Sequence, residues 1–174
     1  RGERARGMSK AVDIESLASC IDTTGVEVLN AANPELLPKV LNGGVSEVPL
    51  KSDCDEQLLL RIPFMQPVKL HSLVISGSTA APRSIKLFTN KVSMTFDDVE
   101  SFPPTQAFEL SPSDFTDGVA TVQLQFVKFQ SIQSLHVMVE DNLDGSDVTE
   151  LTRVQVLGVP IKAMNVNEIK KQEG

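Results

Sequence analysis

Short runs of apolar residues separated by turn residues fill the chain beyond Val45. Several runs alternate apolar and polar positions, and within residues 134–140 the side chains of Leu135, Val137 and Val139 share one face. Such alternation is typical of strands that are buried on one face. The candidate strands are residues 57–62, 68–76, 84–89, 107–110, 119–124, 126–130, 134–140 and 152–159. Strands at this density predict an all-β sandwich or barrel.

One of these runs changes phase partway along its length. Val68 and Leu70 begin the alternation, and Leu73 and Ile75 continue it one position out of step. An extra residue in one strand of a pair, a β-bulge, produces such a shift. We therefore predict a bulge near Ser72.

The residues before the first strand predict a short helical arm. Apolar residues recur at helical spacing from Val12 to Ile21, where Asp13 or Ser16 could cap the helix. A second helical turn is predicted at residues 34–37, ended by a proline at the next position.

The domain organisation follows from the same pattern. No internal repeat or low-complexity stretch interrupts the chain, so we expect a single domain over residues 8–174. Residues 1–7 precede a methionine and hold three arginines. We expect them to be a cloning remnant or a disordered tail outside the fold.

The net charge of the chain limits the classes of molecule that it can bind. The 174 residues, of 18.9 kDa, carry 16 Lys+Arg and 23 Asp+Glu, a net charge of -7 that opposes binding to phosphate backbones. Nucleic acid is therefore not expected as a partner. No apolar run reaches the roughly 18 residues of a membrane span, and no secretory signal begins the chain. We expect a monomeric cytoplasmic protein that could also enter the nucleus, with no membrane contact.

The cysteines and histidines offer little chemistry at their spacing. Cys20 and Cys54 form no C-x-x-C pair, and His71 and His136 lie far apart in the chain. Zinc ligands usually come in close pairs, so a zinc site is disfavoured, and reduced thiols are favoured over a Cys20–Cys54 disulfide. A reactive Cys54 would need a positioned base, which the sequence does not identify.

An acidic turn precedes the first strand of the sandwich. Asp53, Asp55 and Glu56 surround Cys54 just before an apolar run. Such carboxylates could bind a metal or a basic partner. We favour the simpler interpretation, a turn in which carboxylates accept hydrogen bonds from backbone amides.

A second acidic segment, residues 140–147, is similar to a calcium-binding loop. When Gly145 is aligned with the glycine of such a loop, the position of the bidentate glutamate falls on Leu151, one residue beyond Glu150. A polar β-hairpin connection explains the same composition. Calcium binding is therefore the less favoured alternative.

The aromatic composition bears on sugar binding and catalysis. The chain has eight Phe but no Trp and no Tyr, the residues that usually form a flat sugar-binding platform with a polar edge. No nucleophile elbow, phosphate-binding loop or dinucleotide-binding motif occurs. We expect neither an enzyme nor a cofactor.

From about Leu50 onward, the chain contains a series of ordered blocks: residues 50–59, Phe64, residues 66–70, 85–90, 96–100, 104–110 and 126–130, Thr152 with Arg153, and residues 158–160. In this order they resemble the PITH domain, a family named for its interaction with the proteasome and its occurrence in a thioredoxin-like protein. Residues 14–29 resemble the N-terminal arm of the family. The order and spacing of the blocks are more specific than any one of them.

The resemblance implies a jelly-roll β-sandwich, similar to galactose-binding-like domains, that docks to other proteins. It also implies the form of the family without a thioredoxin domain, because only about 40 residues precede the matching blocks and a thioredoxin fold needs roughly 100. We expect a non-catalytic module that binds the proteasome or an associated protein. A domain that binds sugar or calcium is the alternative. The candidate partner-binding residues are Asp53, Asp55, Glu56, Asp141, Asp144 and Asp147.

Overall fold

Ten β-strands and two short α-helices form the regular structure of residues 13–161, the part of the chain that the computed structural model describes. The strands are β1 (Glu15–Ser16), β2 (Glu27–Leu29), β3 (Leu50–Lys51), β4 (Leu58–Ser76), β5 (Ser84–Thr89), β6 (Gln106–Glu109), β7 (Val119–Gln123), β8 (Ile132–Val139), β9 (Glu150–Leu151) and β10 (Arg153–Pro160). The helices are α1 (Leu37–Val40) and α2 (Phe96–Ser101), and 3-10 turns lie at Ala18–Cys20, Pro34–Leu36, Pro112–Asp114 and Phe126–Lys128. The tail predicted over residues 1–7 lies outside this range, as do residues 8–12 and 162–174 of the predicted domain.

The longest strand, β4, is the centre of the fold. Its first half pairs with β2 and β8, and its second half pairs with β10 and β7. The hydroxyl of Thr149 donates to the carbonyl of Glu56 just before β4 begins, and the amide of Thr152 donates to the carbonyl of Ser76 where β4 ends. Because both ends of β4 contact the same short segment, the strand curls back on itself along its length.

This curl divides the antiparallel sheet into two layers. The first layer contains β2, the first half of β4, β8, β5 and β6, and the second contains β1, β10, the second half of β4 and β7. The short pair of β3 and β9 lies beside one end. This architecture confirms the all-β, jelly-roll β-sandwich that was predicted. No helix within residues 13–161 is long and apolar enough to cross a membrane.

The predicted bulge lies in β4 at His71. Ser72 pairs with Leu157 of β10, but the next residue of β10, Gly158, pairs with Leu70, so His71 has no partner on that strand. The extra residue shifts the phase of the alternation by one position. The apolar residues on both sides of the bulge therefore face the same interior, as the sequence predicted.

Two apolar clusters result from this arrangement. The larger fills the interior between the layers, and its fully buried members include Leu60, Leu73, Leu87 and Phe129. Removal of such side chains from water is the main stabilising contribution in a fold of this size. The smaller cluster lies on the outer face of the first layer, and its buried members are Leu59, Phe88, Met94, Val99 and Met138.

The segment between β5 and β6 covers this smaller cluster. The side chain of Thr95 caps α2, since its hydroxyl accepts from the amide of Asp98 while the Asp98 carboxylate accepts from the amide of Thr95. This reciprocal arrangement satisfies backbone donors at the start of a helix. It holds Val99 of α2 against the sheet.

Three sequence predictions of secondary structure need correction. The strands predicted at 57–62 and 68–76 are one strand, β4. The strand accommodates Pro63 and Pro67 because both lie where its pairing with β8 shifts register, and no hydrogen bond of the ladder there requires their missing amides. The strand predicted at 126–130 is instead a 3-10 turn. Its Phe129 is buried, but Val127 is 83% exposed, so the segment does not alternate.

The third correction concerns the N-terminal arm. In place of one helix over residues 12–21, the described residues form β1 and a 3-10 turn. Leu17 and Ile21 are both buried, and a strand followed by a turn satisfies the same spacing of apolar residues as a helix. The helical turn predicted at residues 34–37 is present but continues through α1 to Val40, because Pro38 occupies the first turn, where its missing amide costs nothing.

Candidate functional site

The two acidic segments noted in the sequence lie side by side at one end of the sandwich. The amide of Ser52 donates to the carbonyl of Thr149 at 3.0 Å, and the amide of Thr149 donates to the hydroxyl of Ser52 at 2.8 Å. The Thr149 hydroxyl also donates to the Glu56 carbonyl at 2.6 Å. The same hydroxyl accepts from the side-chain amide of Asn142 at 3.1 Å, and because Thr149 is fully buried, these bonds fix both segments in one surface. We call this surface the acidic end, and it comprises Asp53, Asp55, Glu56, Asp141, Asp144 and Asp147.

Asn30 organises the first acidic segment. Its backbone has φ of 69°, a left-handed conformation that asparagine tolerates. Its side-chain amide donates to Asp55 Oδ1 at 2.7 Å and to the carbonyl of Gln57 at 2.6 Å. Asp55 Oδ1 also accepts from the amide of Gln57 at 3.0 Å. Asp55 is thus committed to the turn, while Asp53 and Glu56 make no side-chain hydrogen bond within residues 13–161.

Asp141 is largely neutralised by an ion pair. Arg83 Nη2 lies 2.6 Å from Asp141 Oδ2, and the amide of Ser84 donates to Asp141 Oδ1 at 2.9 Å. The hydrogen bond from Arg83, supported by those from Ser84, holds the pKa of Asp141 below its ordinary value. This carboxylate anchors the loop to β5 and has little charge left for a partner.

In the loop that resembles a calcium site, the side-chain oxygens accept hydrogen bonds from the loop itself. Asn142 Oδ1 and Asp144 Oδ1 each accept from the amide of Ser146 at 3.0 Å, and the Ser146 hydroxyl donates to Asp144. The hydrogen bonds from Ser146 lower the pKa of Asp144. Gly145 closes the turn with φ of 77°. Within residues 13–161 no group of three or more His, Cys, Asp or Glu side chains is arranged to hold a metal ion.

The remaining carboxylates give the acidic end its negative electrostatic potential. Asp53 and Asp147 are exposed and Glu56 is half-buried. The nearest lysine in the sequence, Lys51, has its Nζ atom 3.9 Å from a carboxylate oxygen of Glu150 and so shares its charge with that residue. A surface of this kind attracts a basic partner and speeds its encounter.

The cysteines and histidines occupy separate places in the fold. Cys20 is a half-buried free thiol at the edge of the core, and Cys54 is an exposed free thiol whose amide donates to Asn30 Oδ1. The ring of His71 lies 3.2 Å from the hydroxyl of its neighbour in β4. His136 is buried on the outer face of β8.

At the far end of β8 lies a groove that the sequence analysis did not identify. It has a volume of about 250 Å³ and lies between the middle of β4, the residues that follow β5 and the start of β8. Its lining includes Arg61, Pro63, Phe64, Lys91, Val92 and Ser134. A possible signal was the isolated Lys91-Val92 pair directly after a strand. No motif connects this pair to Arg61, since they are 30 positions apart in the chain.

The chain was compared with known families and proteins. The profile of the PITH domain matches residues 9–174. Thioredoxin-like protein 1 of Schizosaccharomyces pombe is 36% identical over 163 residues, which are 91% of this chain and 56% of that protein. PITH domain-containing protein 1 of Danio rerio is 36% identical over 114 residues, 63% of this chain and 50% of that protein. This chain thus spans about half the length of these relatives.

Solved structures share the fold at low sequence identity. A family 32 carbohydrate-binding module from Clostridium perfringens, in complex with galactose, has a TM-score of 0.59 and 8% identity, over 83% of this chain and 99% of that one. An F5/8 type C domain from Bacteroides fragilis has a TM-score of 0.54 and 10% identity, over 82% and 97% of the two chains. Identities this low show the fold alone. The match of the PITH domain profile over residues 9–174 shows that this chain belongs to the PITH domain family.

Proposed function

We propose that this chain is a non-catalytic docking module that binds the proteasome, or a protein associated with it, through the acidic end. The observation that carries the proposal is the convergence of two acidic segments, far apart in sequence, on one buried threonine. Membership of the PITH family and the likeness to a thioredoxin-like protein support a partner of this kind. We further propose that the protein is a monomer of the cytoplasm that could also enter the nucleus.

The details of the acidic end favour docking over chemistry. Asp55, Asp141 and Asp144 accept hydrogen bonds from neighbouring residues and so shape the surface. Asp53 and Asp147 extend from it and are exposed. Exposed carboxylates on a backbone that is already ordered suit recognition of lysine and arginine side chains, since the loops need little reordering on binding.

Sugar or calcium binding remains the competing function. It is motivated by the likeness to carbohydrate-binding modules, which shows only the fold. The absence of Trp and Tyr from the sequence removes the usual stacking platform for a sugar. The commitment of Asn142 and Asp144 to Ser146 leaves those oxygens less suited to calcium.

The test is affinity capture of proteasome subunits from a cell lysate, read by immunoblot. The variant Asp53→Asn, Glu56→Gln and Asp147→Asn removes three charges whose side chains bond nothing else within residues 13–161. The matched control, Glu35→Gln, Glu47→Gln and Glu100→Gln, removes three exposed carboxylates elsewhere on the surface. We expect capture by the wild type to fall severalfold in the first variant, to persist in the control and to weaken as salt is added.

Each other outcome rejects a stated part of the proposal. If neither the wild type nor the control captures the proteasome, the proposed partner is wrong. Equal capture by wild type and variant would place the contact outside the acidic end. Heat released on calorimetric titration with calcium, galactose or fucose would favour the competing function.

A further inference from the structure

The groove at the far end of β8 combines an exposed apolar side chain with two cations that form no ion pair within residues 13–161. Pro63 of β4 lies on one side, and Val92, which is 85% exposed, forms the other, while Phe64 is buried in the larger apolar cluster. The segment between β5 and β6 covers Leu59 and Met138 on this outer face but leaves the groove open. Contact with a partner would remove the side chain of Val92 from water.

The walls of the groove are held firmly. Asn90 has φ of 59°, its side-chain amide donates to the carbonyl of Ser131 at 3.1 Å, and its Oδ1 accepts from the amide of Gln133 at 2.7 Å. The hydroxyl of Ser134 donates to the carbonyl of Lys91 at 2.9 Å. These bonds tie the residues after β5 to the start of β8. A partner would therefore meet a preformed surface and pay little for ordering it.

Arg61 supplies a fixed cation at the base of the groove. Its Nε donates to the carbonyl of Val92 at 2.8 Å and its Nη1 donates to the carbonyl of Gly25 at 2.7 Å. The guanidinium has five N–H donors, so others remain for a ligand. Two carboxylates lie near Arg61 but form no ion pair with it. Asp22 accepts from the amide and hydroxyl of Thr24, and Glu27 of β2 pairs with Arg61 across the two strands.

Arg61 and Lys91 are brought together by the groove. Lys51, Arg83 and Lys86 each lie within 4 Å of a carboxylate, whereas Arg61 and Lys91, like the other described cations, form no ion pair within residues 13–161. The Nζ atom of Lys91 lies 4.3 Å from the centre of the Phe102 ring. Both cations line the same groove, and its lining residues include no carboxylate.

We infer that this groove is a second docking site, which binds an acidic segment of a partner protein in an extended form. A carboxylate of the segment would pair with Arg61 and Lys91, and an apolar side chain beside it would pack on Val92. Charge complementarity selects this occupant, because the groove offers fixed donors and no carboxylate of its own. The site is distinct from the acidic end, so it does not depend on the function proposed above.

The test measures fluorescence anisotropy of a labelled peptide, about ten residues long, in which Glu alternates with Leu. A peptide with Gln in place of Glu has the same length and apolar content without the charge. The variant Lys91→Glu with Val92→Asn reverses the charge and removes the exposed apolar surface. The matched control is Lys39→Glu with Val48→Asn, an exposed lysine and an exposed valine on another face.

We expect the acidic peptide to bind the wild type and the control, and to bind the groove variant about tenfold or more weakly, the effect of losing one close charge pair. Amide resonances of Val92 and Gln133 should shift on binding. Equal affinity for the Glu and Gln peptides, or no loss in the groove variant, would overturn the inference. Binding of galactose that shifts the same resonances while the peptide shifts none would assign the groove to a sugar instead.

Discussion

His136 is a buried base whose Nδ1 atom has no hydrogen-bond partner within residues 13–161. It pairs in the sheet with Arg61 of β4 on one side and Phe88 of β5 on the other. Burial, together with the positive charge of Arg61, lowers the pKa of His136 to about 4. The folded protein therefore holds this imidazole neutral at pH values where an exposed histidine would be charged.

This histidine should make the fold sensitive to mild acid. Between the ordinary pKa near 6.5 and the folded pKa near 4, the unfolded chain binds a proton that the folded chain does not. The free energy of unfolding should therefore fall as the pH drops through that window, by about 2 kcal/mol between pH 7 and pH 5. Urea unfolding curves at the two pH values measure it.

His136→Leu is the matched comparison, because leucine removes the titrating group and places an apolar side chain at the buried position. The difference between wild type and variant isolates the histidine from the carboxylates, whose protonation contributes in both proteins. The wild type should lose more stability than the variant between pH 7 and pH 5. Parallel losses would show that His136 titrates normally.

At the scale of elements, the bulge between β4 and β10 depends on one glycine. A Cβ atom at Gly158 would lie 1.9 Å from the carbonyl oxygen of Lys69, a contact that the backbones of two paired strands cannot relieve by a small shift. The variant Gly158→Ala should therefore lose about 3 kcal/mol or more of unfolding free energy. Chemical denaturation gives the value.

Gly44→Ala provides the control for this prediction. A Cβ atom added at Gly44 meets nothing within 4 Å, so its effect should stay within about 0.5 kcal/mol. If both variants were equally stable, β10 would have to move away from β4 at no cost, and the bulge would not be a fixed feature of the sheet.

At the scale of the whole molecule, Thr149 joins the loop of residues 142–149 to residues 52–56, which are more than 90 positions away in sequence. Its hydroxyl donates to Glu56 and accepts from the side-chain amide of Asn142 at 3.1 Å, and its amide donates to Ser52. The variant Thr149→Val keeps the shape but leaves buried polar groups without that partner. It should cost about 1 to 3 kcal/mol of unfolding free energy.

The same variant tests whether the acidic end acts as one surface. Loss of the Thr149 hydroxyl should loosen residues 53–56, and amide hydrogen exchange there should quicken while exchange in β8 stays slow. Thr149→Ser retains the hydroxyl and should restore protection. Uniformly faster exchange throughout the molecule would mean that Thr149 supports the fold as a whole, with no specific role in joining the two loops.

The sequence alone was a good guide to the elements whose signal is local. The alternation in β5 and β8 predicted them within two residues, and the change of phase in residues 68–75 located the bulge within one residue of Ser72. The predictions for the N-terminal arm and for residues 126–130 were wrong. In so short a segment, one or two buried apolar residues are compatible with a helix, a strand or a turn. The union of two predicted strands into β4 was also missed, since it depends on pairing partners elsewhere in the chain.

The candidate site likewise has features that the sequence predicts and features that depend on contacts between distant residues. The sequence by itself determined the strand-rich, all-β class, the acidity and the two carboxylate-rich turns, because alternation, charge and turn composition are properties of neighbouring residues. Only the tertiary structure decided that Ser52 and Thr149, 97 positions apart, would bring those turns together. It also decided that Arg83 would pair with Asp141 and that Arg61 would form no ion pair within the described residues. Such pairings depend on how β4 curls, and that curl arises from contacts along the entire chain.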